Sequence, residues 1–281
     1  MSAVADNRDK LEGFTLPLAI GGAQVEIAGL YRAGTGIPLV FLHGFGSTKE
    51  DYADVVHQDG LAGRPILAYD APGCGATTCS DLAALSIPFL VTAAERTLRA
   101  RRIGRYHLIG HSMGGLTALM LAARNPGAVA GFVNIEGNLA PEDCFLSRQI
   151  ITHAHDEPAE FLARFAGRVA GSRYYASSLY AASLPHKVRA AAVQPIFESM
   201  VDLSDHGGLL ERFLALRVPK MFMYGRQNNS LSYLTRLAGE GVHVAEIAHS
   251  GHFPMYSNPP AMWSSITGFL NGPARQPAPP R

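Results

Sequence analysis

This chain has little of what marks a secreted, membrane-spanning or nucleic-acid-binding protein. Its three cysteines, Cys74, Cys79 and Cys144, are too few for a disulfide framework and lack the paired spacing of a zinc site. They read as free thiols in a reducing compartment. Neither sign of charge dominates, since 24 Lys and Arg against 23 Asp and Glu give a formal net charge of +1. With no basic run, and no basic residues interleaved with aromatics, the electrostatic footprint of a nucleic-acid binder is missing. No apolar run reaches the ~18 residues of a membrane span, and Met1 to Lys10 has no apolar core of the signal-peptide kind. The chain has no internal repeat. A soluble, cytoplasmic protein that engages neither membrane nor nucleic acid is the expectation, with a homodimer left open.

What the chain does have is apolar residues in short blocks. At 47% hydrophobic and 17% charged over 281 residues, it can bury a large core. Phe14 to Ile20 and Gln24 to Tyr31 flank Gly21-Gly22, as in an antiparallel hairpin at a sheet edge. Beyond them, Pro38–Leu42, Pro65–Tyr69, His107–Ile109, Val129–Ile135, Val218–Tyr224 and Val242–Ile247 are continuous apolar runs, the pattern of strands buried on both faces. Segments of helical length separate several of them: Ile87–Arg102, Gly115–Arg124, Asn229–Gly239 and Pro259–Leu270. This alternation predicts an α/β fold with a mostly parallel, doubly wound sheet, whose ligands gather at the carboxyl edge of the strands.

The stretch 138–213 interrupts the alternation with helix-like sequence carrying Phe145, Phe161, Phe165, Tyr174, Tyr175, Tyr180 and Phe197. It is expected to form a helical cap inserted into a core of residues 1–137 and 214–271, and the Pro- and Ala-rich stretch 272–281 to be a disordered tail. Most of the cap aromatics would pack the cap's own small core. Tyr174, Tyr175 and Phe197 are singled out as substrate-binding candidates.

The most specific signal is the apolar strand Tyr106-His107-Leu108-Ile109 running into Gly110-His111-Ser112-Met113-Gly114 and then a helix-forming stretch. In a strand–turn–helix of this kind the central serine sits on a strained turn, and glycines are needed where strand and helix backbones crowd together. The turn lifts the Ser112 hydroxyl clear of the sheet and aims the N-terminus of the following helix at it, so a developing oxyanion meets backbone N–H groups and a favourable dipole. Ser112 therefore reads as a nucleophile.

Together with His43-Gly44-Phe45-Gly46, Asp70-Ala71-Pro72-Gly73-Cys74-Gly75 and Ser250-Gly251-His252-Phe253-Pro254, this elbow resembles the α/β-hydrolase superfamily from about Phe14 to Leu270. The resemblance implies a structural role for the Asp70–Gly75 turn and a catalytic base in the loop after the last strand. A serine hydroxyl needs such a base to take its proton during attack. His252, preceded by glycine, fits better than His249. His43 and His111 lie inside motifs and are expected to pack and shape the oxyanion loop, whose donors would be the backbone N–H groups of Phe45 and Met113. His153-Ala154-His155 could suggest a metal, but alternate residues on a helix point apart and no third ligand is evident, so neither metal nor cofactor is expected.

The acid departs from the superfamily's common pattern, because Gly225-Arg226-Gln227-Asn228-Asn229 after the penultimate strand holds no carboxylate. Some members take the acid from the end of the strand next to the elbow strand, and here Glu136 closes Phe132–Ile135. The order Ser112, Glu136, His252 is then the expected one, with Asp202, Asp205 and Asn228 as alternatives. The resemblance implies a serine hydrolase for an ester, lactone or related acyl bond of a small apolar molecule. Carbon–carbon bond hydrolysis, acyl transfer, and a ligand receptor with little turnover stay open. A scaffolding role does not explain a strained elbow.

Overall fold

The computed structural model describes residues 10–153 and 156–272; His155 and, apart from Gly272, the expected tail lie outside them. Among the described residues, nine strands form one sheet: β1 (Glu12–Ile20), β2 (Ala23–Arg32), β3 (Leu39–Leu42), β4 (Ile66–Tyr69), β5 (Thr78–Cys79), β6 (Tyr106–His111), β7 (Val129–Ile135), β8 (Lys220–Gly225) and β9 (His243–Ile247). The order is β1-β2-β4-β3-β6-β7-β8-β9, with β5 paired to β2. The β1–β2 hairpin turns at Gly21-Gly22 and joins the rest antiparallel, while β4-β3-β6-β7-β8-β9 are all parallel. Every residue of β3 and β4 is buried, so the centre of the sheet is covered on both faces, which is what their unbroken apolar runs require; β9, expected to be buried as well, is only partly so because it is an edge strand.

Helices α1 (Ile87–Ala100), α2 (Met113–Arg124), α7 (Leu234–Gly239), α8 (Pro254–Ser257) and α9 (Pro259–Asn271) accompany the strands. Ser86 caps α1 by accepting the Phe89 N–H, and Asn258 caps α9 by accepting that of Ala261. The helix expected over Asn229–Gly239 starts late. A 3-10 turn at Arg226–Asn228 comes first, and the Asn228 amide is committed to another partner rather than to a helix cap.

Between β7 and β8 the chain forms 3-10 segments at Pro141–Cys144 and Ser147–His153, then α3 (Pro158–Ala170), α4 (Ser177–Lys187), α5 (Val193–His206) and α6 (Leu209–Ala215). Helix α6 runs across position 213, and its Phe213 packs edge-on against Phe132 of β7 with ring centroids 5.6 Å apart. The C-terminal end of α4 is tied down. Lys187 Nζ lies 3.0 Å from Asp51 Oδ1 and donates to the Tyr256 hydroxyl, while the Gly75 and Arg189 amides donate to the Lys187 and Gly73 carbonyls. No helix among the described residues is long and apolar enough to cross a membrane.

Candidate active site

Parallel pairing puts the ends of β6, β7 and β8 side by side, with His111 opposite Ile135 and Ile135 opposite Met223. The chain leaves β6 and β7 through two unusual residues. Ser112 has φ +51° and Glu136 φ +47°, each a left-handed conformation that costs a non-glycine residue of order 1–3 kcal/mol. Surrounding bonds hold both turns. The Ser112 amide donates to the Ile135 carbonyl at 2.9 Å, the Glu136 amide to the Met223 carbonyl at 2.9 Å, and the Gly137 amide to Asn134 Oδ1 at 2.7 Å. The two turns touch at Gly115 and Gly137, where a Cβ on Gly115 would sit 2.7 Å from the Gly137 Cα, so a side chain at either position would force them apart.

From these turns three side chains form one row. Ser112 Oγ lies 3.0 Å from His252 Nε2, and His252 Nδ1 lies 2.7 Å from Glu136 Oε2. Glu136 also accepts the Asn228 amide on Oε2 at 2.6 Å and the Gly225 N–H on Oε1 at 2.7 Å. A carboxylate can only accept, so His252 Nδ1 carries the hydrogen and Nε2 is left to accept from Ser112. Geometry thus gathers Ser112, His252 and Glu136. Asp205 instead pairs with Arg148, and Asp202 faces His206, both away from the row. His249 makes no hydrogen bond to Ser112 or Glu136; its backbone is left-handed at φ +53° in the turn that leads to His252.

Two further buried histidines shape this edge. His43 Nε2 accepts the Ala71 N–H at 2.8 Å, which puts its hydrogen on Nδ1, donated to the Gly44 carbonyl; burial holds its pKa below the ordinary imidazole value. His111 Nε2 donates to the His252 carbonyl at 2.7 Å, fixing the loop that carries His252, and burial pushes its pKa well down. Asp70 accepts from Lys49 Nζ, the Lys49 amide and the Ala76 amide, which makes its turn a structural clamp. Among the described residues no acceptor stands against the amides of Phe45 or Met113, and Gly44 keeps the first close to Ser112, since a Cβ there would lie 3.2 Å from the Ser112 Cβ.

A narrow cavity opens on Ser112. Its apolar wall comes from Phe45, Phe145, Leu146, Tyr180, Phe197, Met200 and Phe253, and its polar groups from Ser112, His252, Asp143 and Ser147. The free space is about 20 Å³, room for little more than a water, so a substrate has to displace part of the wall. Tyr180 stacks on Phe253 with centroids 4.2 Å apart and donates its hydroxyl to the Phe45 carbonyl, whereas Phe145, edge-on to His252 at 5.1 Å, is 42% exposed. Burial pushes the Asp143 carboxyl up to about 6 although the Leu139 and Ala140 amides and the Tyr233 hydroxyl all donate to it.

Of the three aromatics expected to meet substrate, Phe197 lines this cavity; Tyr174 and Tyr175 do not. They stay 43% and 48% exposed outside it, Tyr174 beside the Phe145 ring and Tyr175 with its amide on Gln227 Oε1. They lie in the loop before α4, which turns them outward, while Tyr180 within that helix points in. Sequence reasoning missed the Gly225 amide and the donor role of Asn228, since only the adjacency of β7 and β8 brings them to Glu136. It also missed Ser147, to which no motif points.

A mostly parallel sheet with flanking helices and a serine elbow at its carboxyl edge defines an α/β hydrolase. Residues 39–263 match the alpha/beta hydrolase family, and the chain belongs to it. Esterase Rv0045c of Mycobacterium tuberculosis (strain ATCC 25618 / H37Rv) is 26% identical over 275 residues, covering 87% of this chain and 86% of that protein. The sn-1-specific diacylglycerol lipase ABHD11 of Xenopus tropicalis is 32% identical over 102 residues, 36% of this chain, and the match spans only 31% of the lipase. Among solved structures, a mutant of the N-acyl homoserine lactonase AidH complexed with N-hexanoyl homoserine superimposes with a TM-score of 0.72, at 17% identity, over 95% of this chain and 100% of that one; the likeness is one of fold.

Proposed function

We propose that this hydrolase cleaves an ester, lactone or related acyl bond of a small, largely apolar molecule through Ser112, His252 and Glu136. The observation that carries this reading is the unbroken row in which His252 Nε2 faces Ser112 Oγ at 3.0 Å while Nδ1 is held by Glu136 at 2.7 Å. Ser112 Oγ attacks the acyl carbon as its proton passes to His252 Nε2. The carbonyl oxygen becomes an oxyanion held by the Phe45 N–H in the loop after β3 and the Met113 N–H at the start of α2, and Glu136 stabilises the imidazolium. When the intermediate collapses, the C–O bond to the alcohol breaks and His252 returns the proton to the departing oxygen. Water then attacks the acyl carbon as its proton passes to His252 Nε2; the bond from that carbon to Ser112 Oγ breaks, His252 returns the proton to Oγ, and the acid leaves.

The esterase relative supports an acyl-bond substrate, and the aromatic wall over Ser112 supports an apolar one. Steady turnover of 4-nitrophenyl acetate and butanoate, followed by a panel of lactones of graded acyl length, tests it. An enzyme that turns over none of these esters or lactones contradicts the reading.

A further inference from the structure

Among the described residues, every polar side-chain group in the cavity wall has a partner except one. Ser112 and His252 face each other, Asp143 accepts from two amides and the Tyr233 hydroxyl, and Tyr180 donates to the Phe45 carbonyl. Ser147 is 2% exposed, lines the same cavity, and its Oγ has no hydrogen-bond partner. A hydroxyl buried this way is costly, and alanine would fill the position without the cost, so the free hydroxyl points to a partner that arrives with the substrate.

Building on the acyl-hydrolase reading, we infer that Ser147 is a specificity-determining residue that hydrogen-bonds a single polar group, a hydroxyl or an amide, on an otherwise hydrocarbon acyl chain. The acyl part is the one concerned because it alone remains on Ser112 Oγ after the alcohol has left, inside the enclosed space. Aromatic rings, Leu146 and the Met200 thioether form the apolar part of the wall and accept the hydrocarbon. A hydroxyl serves either polar group, since it both donates and accepts. Ser147 begins the 3-10 segment Ser147–His153, two residues beyond the half-exposed Phe145, so displacement of that ring would bring the incoming chain onto the Ser147 hydroxyl.

The test compares kcat/KM for 4-nitrophenyl butanoate, 3-hydroxybutanoate and N-acetylglycinate in the wild type, Ser147→Ala and Ser147→Cys. The ratio of either polar ester to butanoate is expected to fall about tenfold in both variants, since a neutral hydrogen bond is worth about that much and a thiol is a poor substitute. The cysteine variant leaves no void, its thiol being somewhat larger than the hydroxyl, and carries the test if the alanine variant does not fold. Ratios that stay within twofold of wild type for both polar esters overturn the inference while leaving the hydrolase reading intact. A wild-type enzyme inert to all three esters, with no lactone turned over either, overturns both.

Discussion

Replacing Glu136 with Gln asks the most of the structure, because the carboxylate holds three donors at once. Oε2 accepts from His252 Nδ1 and the Asn228 amide, and Oε1 from the Gly225 N–H, at 2.6 to 2.7 Å. Glutamine offers one oxygen and one NH2. If the oxygen stays with His252 and Asn228, the NH2 confronts the Gly225 N–H; if the NH2 turns to His252, the hydrogen moves to Nε2 and the ring cannot accept from Ser112. In either orientation the negative charge that stabilises the imidazolium is gone. Loss of a triad carboxylate elsewhere costs about 10⁴ in turnover, so kcat on 4-nitrophenyl butanoate is expected to fall by roughly 10³ to 10⁴, or ~4–5.5 kcal/mol of barrier. One mispaired donor costs about 1–3 kcal/mol of stability, so the variant folds with a lowered Tm, and rates are compared well below it. Asn228→Ala, which leaves the Glu136–His252 bond, is expected to cost about tenfold at most, and Asp202→Asn and Asp205→Asn almost nothing. A Glu136→Gln enzyme within about tenfold of wild type would refute the reasoning and move the acid role elsewhere.

Two further outcomes follow from the same geometry. Phe197→Ala enlarges the cavity at Ser112 and is expected to shift acyl-length preference toward longer chains, while Tyr174→Ala and Tyr175→Ala, outside the cavity, change it little; a graded ester series measures both. Burial and the charges of Arg64 and Arg105 hold His107 down at about 4 against an ordinary 6.5. Below pH 6.5 the unfolded chain therefore takes up a proton that the folded chain refuses, so the stability contributed by the neutral ring is complete above about 6.5 and lost as pH falls to about 4. For this half-buried ring the loss is roughly 1–2 kcal/mol after solvent screening, and His107→Gln is expected to flatten the acid limb of Tm against pH by that amount.

Much of this was legible because it follows from local chemistry. Continuous apolar runs pointed to strands covered on both faces, as β3 and β4 are, although β9 at the sheet edge is only partly buried; Gly110 and Gly114 around Ser112 made sense only where a strand and a helix meet closely, which the sheet shows. The position of Glu136 at the end of a strand put it at the carboxyl edge before any contact was known. Contacts set by packing between distant segments were not legible. Asn228 reads as a turn residue until β8 lies beside β7, and Lys187 is an unremarkable helix-end cation until Asp51 and Tyr256 meet it 136 and 69 residues away in sequence. The aromatics of the insertion could be counted but not aimed, because in short 3-10 segments and loops no regular period says which side chain turns inward. Tyr174 and Tyr180 differ by the start of one helix, and that start alone sends one out and the other in.

The central claim is that Ser112 is the nucleophile, and covalent labelling measures it directly. After treatment with a fluorophosphonate, mass spectrometry of the digested wild-type protein is expected to place one phosphonyl adduct on Ser112, with none on Ser112→Ala and turnover by that variant abolished while its fold is kept. An adduct on another residue, or a Ser112→Ala protein as active as the wild type, contradicts the account.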